Sequence, residues 1–535
     1  MKERRALRAG GFGLLAGLAG IAATYLGHRW AALPYLPFDL FEWMARVLPG
    51  RLVNAAIDGM VMIIRGLHLG PTASTAKMAE KGMALIQFAA IGVVLGLVLA
   101  IAGKRKPGRL TLYGAIGGSV LFLSSAVLEA GRGFSGPGPG PLASLAWLAV
   151  VLVGGGALLG RALFAASAPP GPAAEDTISR RRFLRFVGTG SFVVMVTATG
   201  VSLLSPKGKR SAGRDQDEEL ARAAGTSGPA ASPPPLELGK RFAPVPGTRS
   251  ELTANEDFYR IDINLRPPKI DAASWRLKVE GLVERPLSLS LDDILARPRQ
   301  TQALTLSCIS NPVGGDLIST SFWTGTPLKL LLEEAGLKKE AREISIEAAD
   351  GFYESVPLAE ALDGRTLLVT QMNGEPLAAE HGFPLRIFIP GHYGMKQPKW
   401  IVRMEAIDHK GPGFWVDRQW SATAFVRTTS VIDVAAVSKA AADAADVQVG
   451  GIAYAGDKGI SAVEVQVDGG PWQKAELRLP ALSPLAWVQW RFLWKSTPGK
   501  HVFRVRAYDG TGALQIAEEH PTFPDGATGL HRKSI

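Results

Sequence analysis

The only cysteine of the chain, Cys308, lies where a thiolate could reach a metal. Thr305 and Leu306 before it are typical of the end of a buried strand, and Asn311 with the glycines after it predicts a loop rather than a helix. A thiolate at the end of a strand, beside a glycine-rich loop, is a ligand that soft metals prefer. A lone cysteine is more often a small buried hydrophobe, however, and the residue type alone leaves this alternative open.

A second group of polar residues follows a strand predicted at residues 385–389. Pro390 and Gly391 end that strand, and Trp400 begins the next one. The loop between them carries these donor side chains: His392, Tyr393, Lys396, Gln397 and Lys399. Such a loop could hold an anionic, pyrophosphate-like group through side-chain and backbone N–H groups. Composition alone leaves a solvated basic loop as the alternative.

The elements that must position both groups lie between residues 249 and 432. Strands are predicted at residues 275–281, 342–348 and 367–372, and a helix is predicted from Thr326 and Pro327 to a stop at Gly336. The strands and short helices follow no regular βαβ rhythm, so we predict an α+β domain rather than a doubly wound sheet. The sequence contains no phosphate loop or dinucleotide fingerprint, which argues against a nicotinamide-dependent enzyme.

Both groups resemble motifs of the sulfite oxidase family of molybdopterin enzymes. The first matches a cysteine followed by an asparagine, a glycine loop and a Trp-x-Gly-x-x-Leu entry to a helix, here Cys308, Asn311, Gly314, Gly315, Trp323, Gly325 and Leu328. The second matches a Pro-Gly-x-x-Gly-x-x-x-x-Lys-Trp run, here Pro390, Gly391, Gly394, Lys399 and Trp400. The resemblance covers roughly residues 250–535, and it implies a molybdenum–molybdopterin cofactor.

The resemblance also implies roles for individual residues. Cys308 would be the thiolate ligand of the molybdenum, and Cys308 and Asn311 would be the catalytic residues of the loop. The residues implied as contacts of the pterin and its phosphate are Lys399, His392, Lys396, Arg260 and Asn264. Arg260 and Asn264 follow the aromatic pair Phe258 and Tyr259, like a similar run in the family. For Arg260, a structural salt bridge is the alternative.

Two departures from the family pattern bear on the substrate. Asn311 is followed by Pro312 and Val313 where sulfite oxidases carry arginines, and a tyrosine beside the metal in those enzymes aligns with Thr370. These changes remove charge-assisted donors for an oxyanion. We therefore predict oxygen-atom or two-electron transfer that reduces a sulfoxide or N-oxide, with oxidation of a sulfur anion such as sulfite as the alternative. Outside enzymes, the alternative is a cofactor-free extracytoplasmic binding module on a membrane scaffold.

Residues 1–205 have the composition of a membrane domain. Apolar runs near the ~20 residues that cross a bilayer predict five spans, at residues 9–27, 82–102, 110–129, 142–165 and 187–205. Residues 53–69 are interrupted by charges and predict an amphipathic surface helix. Basic clusters precede the first and fifth spans and fill the turn between the second and third, which places the chain after Ser205 outside the cytoplasm of a bacterial cell. The net charge of +11 therefore indicates membrane flanks rather than nucleic acid binding.

Residues 179–185, Ser-Arg-Arg-Arg-Phe-Leu-Arg, resemble the twin-arginine export signal. That pathway exports folded proteins, which suits a cofactor that is inserted in the cytoplasm. The simpler interpretation is a positive-inside anchor for the fifth span, and both interpretations are compatible.

The remaining segments predict a linker and a third domain. Residues 206–248, with their charges, Ser, Gly and Pro, predict a disordered linker, which leaves 249–432 as the catalytic domain. Residues 433–535 alternate apolar and polar residues between Gly-containing turns, which predicts an immunoglobulin-like β-sandwich. The family's C-terminal domain often mediates dimers, so a homodimer is a further expectation.

The cysteine count limits the redox chemistry of the chain. One cysteine excludes an intramolecular disulfide and a four-cysteine iron–sulfur centre. Because the sequence offers no second redox site, we expect a separate electron-transfer partner, either a quinol-linked membrane protein or a cytochrome.

Overall fold

The computed structural model describes residues 2–67, 69–104, 106–131, 140–167, 241–437 and 446–535. These residues form two compact units. The first contains the apolar helices up to Leu48 and from Ala76 onward, and the second contains Pro49–Thr75 with the described chain from residue 241 to the C terminus. The predicted fifth span, the twin-arginine-like residues 179–185 and the linker residues 206–240 lie outside the described residues. The predicted domain boundaries stay predictions.

The N-terminal part of the chain is helical. Its helices are α1 (Lys2–Ala31), α2 (Leu36–Val47), α3 (Gly50–Gly66), α4 (Thr72–Ala102), α5 (Leu110–Gly131), α6 (Pro141–Ala149) and α7 (Gly155–Ser167), with a π-helical turn at Val150–Gly154 between the last two. Among the described residues, four segments are long and apolar enough to cross a membrane: Ala6–Ala31, Thr72–Ala102, Pro107–Ala130 and Pro141–Ser167. They agree with the first four predicted spans. A fifth candidate exists only if Leu36–Val47 and Gly50–Ile64 are one broken span.

Glycines let the helices of the first unit approach closely. A methyl group on Gly13 of α1 would lie 2.2 Å from the backbone oxygen of Gly92 in α4. In the same way, a methyl group on Gly114 of α5 would lie 2.1 Å from the oxygen of Gly156 in α7. Small residues at such crossings are the usual way in which helices pack in lipid.

The catalytic part of the second unit contains two sheets and three short helices. The strands are β1 (Leu277–Gly281), β2 (Leu287–Leu289), β3 (Gln300–Ser307), β4 (Ile318–Pro327), β5 (Glu343–Ala348), β6 (Tyr353–Pro357), β7 (Leu367–Met372), β8 (Glu375–Pro376), β9 (Arg386–Phe388) and β10 (Ile401–Ile407). The helices are α8 (Leu291–Leu295), α9 (Leu328–Ala335) and α10 (Leu358–Ala361). One sheet has the order β2-β1-β10-β5-β6; the other has β3-β4-β7-β8, with β9 paired to β7. Only β1 and β10 run parallel, so the predicted α+β class is confirmed.

Helix α9 shows how the sequence builds this core. Leu328, Leu331, Leu332 and Ala335 recur at helical spacing, and all four are buried. The helix ends at Gly336, whose φ of 69° is left-handed, as predicted from the sequence. The same core contains side chains of both sheets, which fixes β3, and therefore the residue that follows it, in place.

The C-terminal part forms a β-sandwich of two four-stranded sheets, which confirms the predicted immunoglobulin-like fold. Its strands are β11 (Thr429–Val437), β12 (Asp446–Tyr454), β13 (Ile460–Val467), β14 (Gln473–Lys474), β15 (Glu476–Leu477), β16 (Val488–Lys495), β17 (Val502–Asp509) and β18 (Arg532–Ser534). The sheets have the orders β11-β12-β16-β15 and β14-β13-β17-β18. Alternate residues point into the shared core, as the period-two pattern requires.

Contacts through β3 join the sandwich to the catalytic sheets. The hydroxyl of Tyr454 in β12 donates to the backbone oxygen of Thr305 (2.8 Å), and the amide of Trp487 donates to the Thr305 hydroxyl (2.8 Å). Residues 241–248 differ from the predicted disordered linker, because Val245 is buried and packs near Gly450 in β12. Val245 is apolar and buries its side chain, whereas the rest of the predicted linker is too polar in composition to bury much surface.

Candidate functional site

Cys308 directly follows β3, at the start of the loop that leads into β4. Its amide donates to the backbone oxygen of Leu317 (2.9 Å), so the two ends of the loop are held together. Cys308 as a residue is partly exposed, and its sulfur lies 3.0 Å from the hydroxyl oxygen of Ser310. Burial raises the pKa of the Cys308 thiol, and the hydrogen bond from Ser310 opposes that shift. The sulfur thus lies at the end of β3, in a loop whose two ends are hydrogen-bonded to each other, and it is the soft donor that a metal such as molybdenum would bind.

Asn311 closes the loop that follows Cys308. Its amide donates to the Cys308 oxygen (3.0 Å), and its side-chain oxygen accepts a hydrogen bond from the amide of Leu317 (3.0 Å). Gly315 packs against that side-chain oxygen so closely that an added methyl group would lie 2.2 Å from it. The predicted catalytic residue Asn311 therefore has a visible positioning role, since it fixes the loop that carries the thiol.

A buried carboxylate organises the predicted anion-binding residues. Asp262, whose side chain is 0% exposed, pairs with both Arg260 and Lys399. The Lys399 ammonium also donates to the backbone oxygen of Glu380 (3.0 Å) and lies 4.4 Å from the ring centroid of Trp400. Burial lowers the pKa of Lys399 to about 8, and Asp262 opposes this shift. The structure thus brings together Arg260 and Lys399, two of the predicted cofactor contacts.

Arg386, in the apolar strand β9, adds a third cation that sequence reasoning missed. It is buried, it donates to the backbone oxygen of His381 (3.1 Å), and its guanidinium carbon lies 4.8 Å from the ring centroid of Trp323. Burial lowers its pKa to about 10, while Tyr259 and Asp262 oppose the shift. The sequence did contain a signal for this residue, namely a charged residue inside an otherwise apolar strand. A buried arginine needs an anionic or polar partner, so such a position indicates a binding or pairing role.

The charge balance of this cluster fits an anionic ligand. Arg260, Arg386 and Lys399 share the carboxylate of Asp262. One terminal nitrogen of Arg260 is buried and makes no hydrogen bond to any residue that the structure describes. Buried donors are normally paired, so both the unpaired nitrogen and the excess positive charge favour an anion such as the phosphate of molybdopterin.

The other three predicted cofactor contacts have protein partners. The side-chain amide of Asn264 donates to the backbone oxygen of Asp350 (3.1 Å). The ring nitrogens of His392 face the backbone oxygen of Thr423 (2.8 Å) and the carboxylate of Glu360 (2.9 Å). The Lys396 ammonium pairs with the buried carboxylate of Glu354 (2.8 Å). Their assignment to the cofactor stays a prediction, and these contacts indicate a structural role for His392 and Lys396.

Tyrosines lie close to the thiol. Burial raises the pKa of Tyr259 well above its ordinary value; the charge of a Cys308 thiolate adds to that shift and Arg386 opposes it. Burial likewise raises the pKa of Tyr393 to about 12. Both side chains are therefore neutral hydroxyl groups at physiological pH, able to donate hydrogen bonds. Thr370, the position aligned with the family's tyrosine, is buried on β7, and its hydroxyl has no partner among the described residues.

Together these residues place a thiol at the strand end and a basic cluster beside Trp323 and Trp400. Bound molybdopterin would supply the molybdenum that changes oxidation state and exchanges oxygen. The protein's own residues would hold the metal through Cys308 and the phosphate through Arg260 and Lys399.

Comparison with known proteins agrees with this geometry. Residues 264–415 match the model of the oxidoreductase molybdopterin binding domain. The chain is 30% identical to mitochondrial sulfite oxidase of Rattus norvegicus over 308 residues, which are 50% of this chain and 54% of that protein. It is 36% identical to the uncharacterized oxidoreductase YuiH of Bacillus subtilis over 145 residues, 27% of this chain and 71% of that protein.

A third relative is named "Putative protein-methionine-sulfoxide reductase subunit YedZ1" of Azospira oryzae. It is 31% identical over 153 residues, 29% of this chain and 56% of that protein. The chain spans about half the length of the sulfite oxidases that it matches. YuiH is matched over most of its length, and the matched domain contains the Asn264, Cys308 and Lys399 positions. The chain belongs to the sulfite oxidase family of molybdopterin-dependent oxidoreductases.

Proposed function

We propose that the protein is a membrane-anchored molybdenum enzyme that reduces a small neutral oxide, a sulfoxide or an N-oxide. In balanced form, the oxide takes up two electrons and two protons and gives the reduced compound and water. The observation that carries the substrate choice is the loop beside Cys308. Its turn contains Pro312 and Val313, neither of which offers a charged donor to an oxyanion. The name of the YedZ1 relative, which refers to methionine sulfoxide, supports the same class.

Oxidation of a sulfur anion such as sulfite is the second candidate. It is favoured by Arg386, a buried cation whose charge acts on Tyr259, the tyrosine that also interacts with Cys308. The mitochondrial sulfite oxidases among the relatives support it as well. The sequence analysis also considered a cofactor-free binding module. We set this alternative aside, because members of the family bind molybdopterin.

Within the site, we assign the ligand role to Cys308 and the positioning role to Asn311. Arg260 and Lys399 are assigned to the anionic end of the cofactor, because the excess charge and the unpaired guanidinium nitrogen lie there. Asn264, His392 and Lys396 stay proposed cofactor contacts on the family resemblance, although each already has a protein partner. This assignment makes Lys399 the most informative basic residue to change.

The membrane placement is also a proposal. The four apolar segments support anchoring by helices. The basic cluster in the turn after α4, Lys104 to Arg109, supports a cytoplasmic position for that turn and an extracytoplasmic position for the catalytic domain of a bacterial cell. Export through the twin-arginine-like residues 179–185 would follow from cofactor insertion in the cytoplasm.

Electrons would come from a separate partner, a quinol-linked membrane protein or a cytochrome. The sequence offers the chain one thiol, Cys308, and no iron–sulfur cysteine set. A homodimer through the C-terminal sandwich remains part of this proposal. Both expectations can be tested on the purified full chain, the dimer by its elution volume and the electron partner by oxidation of a reduced cytochrome added together with the oxide.

The deciding experiment compares the full chain with Cys308→Ser and with Ser310→Ala, made in a host that synthesises molybdopterin. Mass spectrometry should find about one molybdenum per chain in the parent and in Ser310→Ala, and the Mo–thiolate absorption should be lost only in Cys308→Ser. The loaded parent is then assayed with reduced viologen and methyl sulfoxides, and separately with sulfite and an electron acceptor. Turnover of sulfite alone would replace the first candidate by the second, and metal-free folded parent protein would refute both.

A further inference from the structure

Helix α3 has apolar side chains on two sides, and the residues that the structure describes cover only one of them. Val53, Ile57, Met60, Val61 and Ile64 are shielded and recur at helical spacing. On the opposite side, Leu52, Met62 and Ile63 are exposed; Met62 is 72% exposed and Ile63 is 58% exposed. Large apolar side chains that are clustered and exposed on one face of a helix mark a surface that contacts another apolar phase or partner. The exposed face of α3 therefore indicates a contact beyond the catalytic domain.

The covered side of α3 is attached to the catalytic domain by specific contacts. Asn54 is buried, and its side-chain oxygen accepts a hydrogen bond from the indole nitrogen of Trp420 (3.0 Å). At the first turn, an added methyl group on Gly50 would lie 3.0 Å from the Cα of Arg418. Trp420 belongs to the same hydrophobic cluster as Ile309, the neighbour of Cys308. The helix is therefore packed on the part of the domain that supports the thiol.

A second contact lies at the other end of the same segment. The amide of Thr72, the first residue of α4, donates to the carboxylate of Asp316 (2.8 Å). Asp316 belongs to the loop between Cys308 and β4 and is adjacent to Leu317, which bonds both Cys308 and Asn311. A carboxylate at the first amides of a helix is a stabilising arrangement, since those amides have no partner within the helix.

We propose that Pro49–Thr75, here called the bracket, binds the surface of a lipid bilayer through the exposed face of α3. Its covered face and the Thr72 amide hold the catalytic domain with the Cys308 loop beside that surface. The occupant is a bilayer, because α3 is followed along the chain by Thr72–Ala102, a segment apolar enough to cross one. Interfacial helices of this length bury their apolar side at the boundary between head groups and acyl chains. The inference rests on the proposed membrane anchoring.

The test uses the full, cofactor-loaded chain in phospholipid nanodiscs that contain a photoactivatable diazirine lipid. We expect lipid adducts on residues 52–69 as well as on the spans at 72–102 and 141–167. The internal control is a pair of equally exposed leucines on the sandwich, Leu493 (60%) and Leu479 (51%), which should carry none. Labelled spans with an unlabelled bracket would overturn the inference and leave the membrane anchoring intact. Unlabelled spans would refute both.

A second arm tests the attachment of the bracket. Asp316→Ala removes the acceptor of the Thr72 amide, so hydrogen exchange of the peptide that contains Thr72 should become about fivefold faster. Asp408→Ala is the matched control, because Asp408 is an exposed aspartate of the same domain that pairs only with its neighbour His409. Equal exchange in the two variants would show that the Cys308 loop is not held by the bracket.

Discussion

The imidazole of His531 lies directly against the Cα of Gly314. A methyl group added to Gly314 would lie 2.3 Å from both Cδ2 and Nε2 of that ring. The ring is fixed from its other side, because Nδ1 accepts a hydrogen bond from the amide of Ile432 (3.0 Å). A residue near the C terminus therefore limits where the loop after Cys308 can lie, and Gly314, with a φ of 72°, fits that limit.

Gly314→Ala should displace this loop and reduce the molybdenum content of the purified protein. Two effects act together: an alanine at positive φ is strained by roughly 1 kcal/mol, and its methyl group overlaps the His531 ring. The matched control is Gly374→Ala, which has a similar φ of 82° but no heavy atom within 4 Å of the added methyl group. Mass spectrometry of both proteins separates the two effects.

His531→Gly in the Gly314→Ala background should restore part of the lost molybdenum. The second change removes the ring and leaves only the backbone strain. If Gly374→Ala loses as much metal as Gly314→Ala, or if the double variant recovers none, His531 does not position the loop.

Asn311→Leu should loosen the metal loop, whereas Asn311→Asp should not. Leucine keeps the size of the side chain but leaves the Leu317 amide without its acceptor, a loss of about 1–3 kcal/mol for a buried donor. Aspartate keeps an acceptor oxygen at the same place. The measurement is the Mo–thiolate absorption per protein, with thermal stability recorded in parallel. Equal spectra for the two variants would assign Asn311 a role other than holding Leu317.

Lys399→Met should lower the affinity for the cofactor by about tenfold or more, the effect of removing one charge-assisted hydrogen bond. The expected sign follows from the cluster, in which Arg260, Arg386 and Lys399 share the carboxylate of Asp262 and one Arg260 nitrogen makes no hydrogen bond among the described residues. Lys458→Met is the control, because Lys458 is half-exposed and pairs with Asp509 at 3.4 Å. Cofactor released on denaturation is quantified by its fluorescence. Full loading of Lys399→Met would place the phosphate elsewhere.

Asp262→Asn should destabilise the cofactor-free protein more than the loaded protein. Without this carboxylate, Arg260, Arg386 and Lys399 lose the negative charge that they share, and breaking a buried ion pair costs about 3–5 kcal/mol. A bound phosphate would replace the lost charge. Thermal midpoints of protein from hosts with and without molybdopterin synthesis give the comparison. Equal losses in the two forms would argue against an anion in this cluster.

The sequence was sufficient for the strand, loop and helix around Cys308, because those elements depend on local signals. Gly336 ends α9 through its left-handed conformation, and the leucines before it define the buried face. The loop from Pro390 to Trp400 was also predicted, since glycines at its turns and a lysine next to a tryptophan at its end are local features, and the role of Lys399 as a cofactor contact stays a prediction. Residue types and short spacings specify such features directly.

Contacts between distant parts of the chain were not predictable in the same way. Asp262 and Lys399 are separated by more than a hundred residues, and His531 reaches Gly314 from the last strands of the sandwich. Arg386 was missed because its partners come from other loops and not from its own strand. The protein partners of His392 and Lys396 were not predicted for the same reason, because Glu360 and Glu354 lie on a different segment of the chain. Each of these depends on tertiary packing, which overrides local pattern.

His381 provides a pH-dependent contribution to stability. Its pKa is lowered to about 4, mainly by burial and also by the charges of Lys399 and Arg386. The backbone oxygen of Asn255, 3.0 Å from Nε2, and Glu380 oppose the shift. The folded protein therefore keeps this ring neutral at pH values where a solvated histidine, with its ordinary pKa of 6.5, takes up a proton. The neutral ring donates from Nε2 to Asn255 and packs edge-on against Phe258, with ring centroids 5.6 Å apart.

The unfolded chain binds a proton at residue 381 first as the pH falls, so acid favours unfolding. The loss should begin below pH 6.5 and level off near pH 4, and over that range it amounts to on the order of 3 kcal/mol. His381→Gln cannot titrate but can still donate to Asn255, so its thermal midpoint should fall less steeply between pH 6.5 and 4 than that of the parent. His520→Gln, which removes an exposed histidine, should retain the parental slope. If the His381→Gln and parental slopes coincide, the buried ring is already charged in the folded protein, and the surroundings of the ring must hold more negative charge than Asp262 and Glu380 provide.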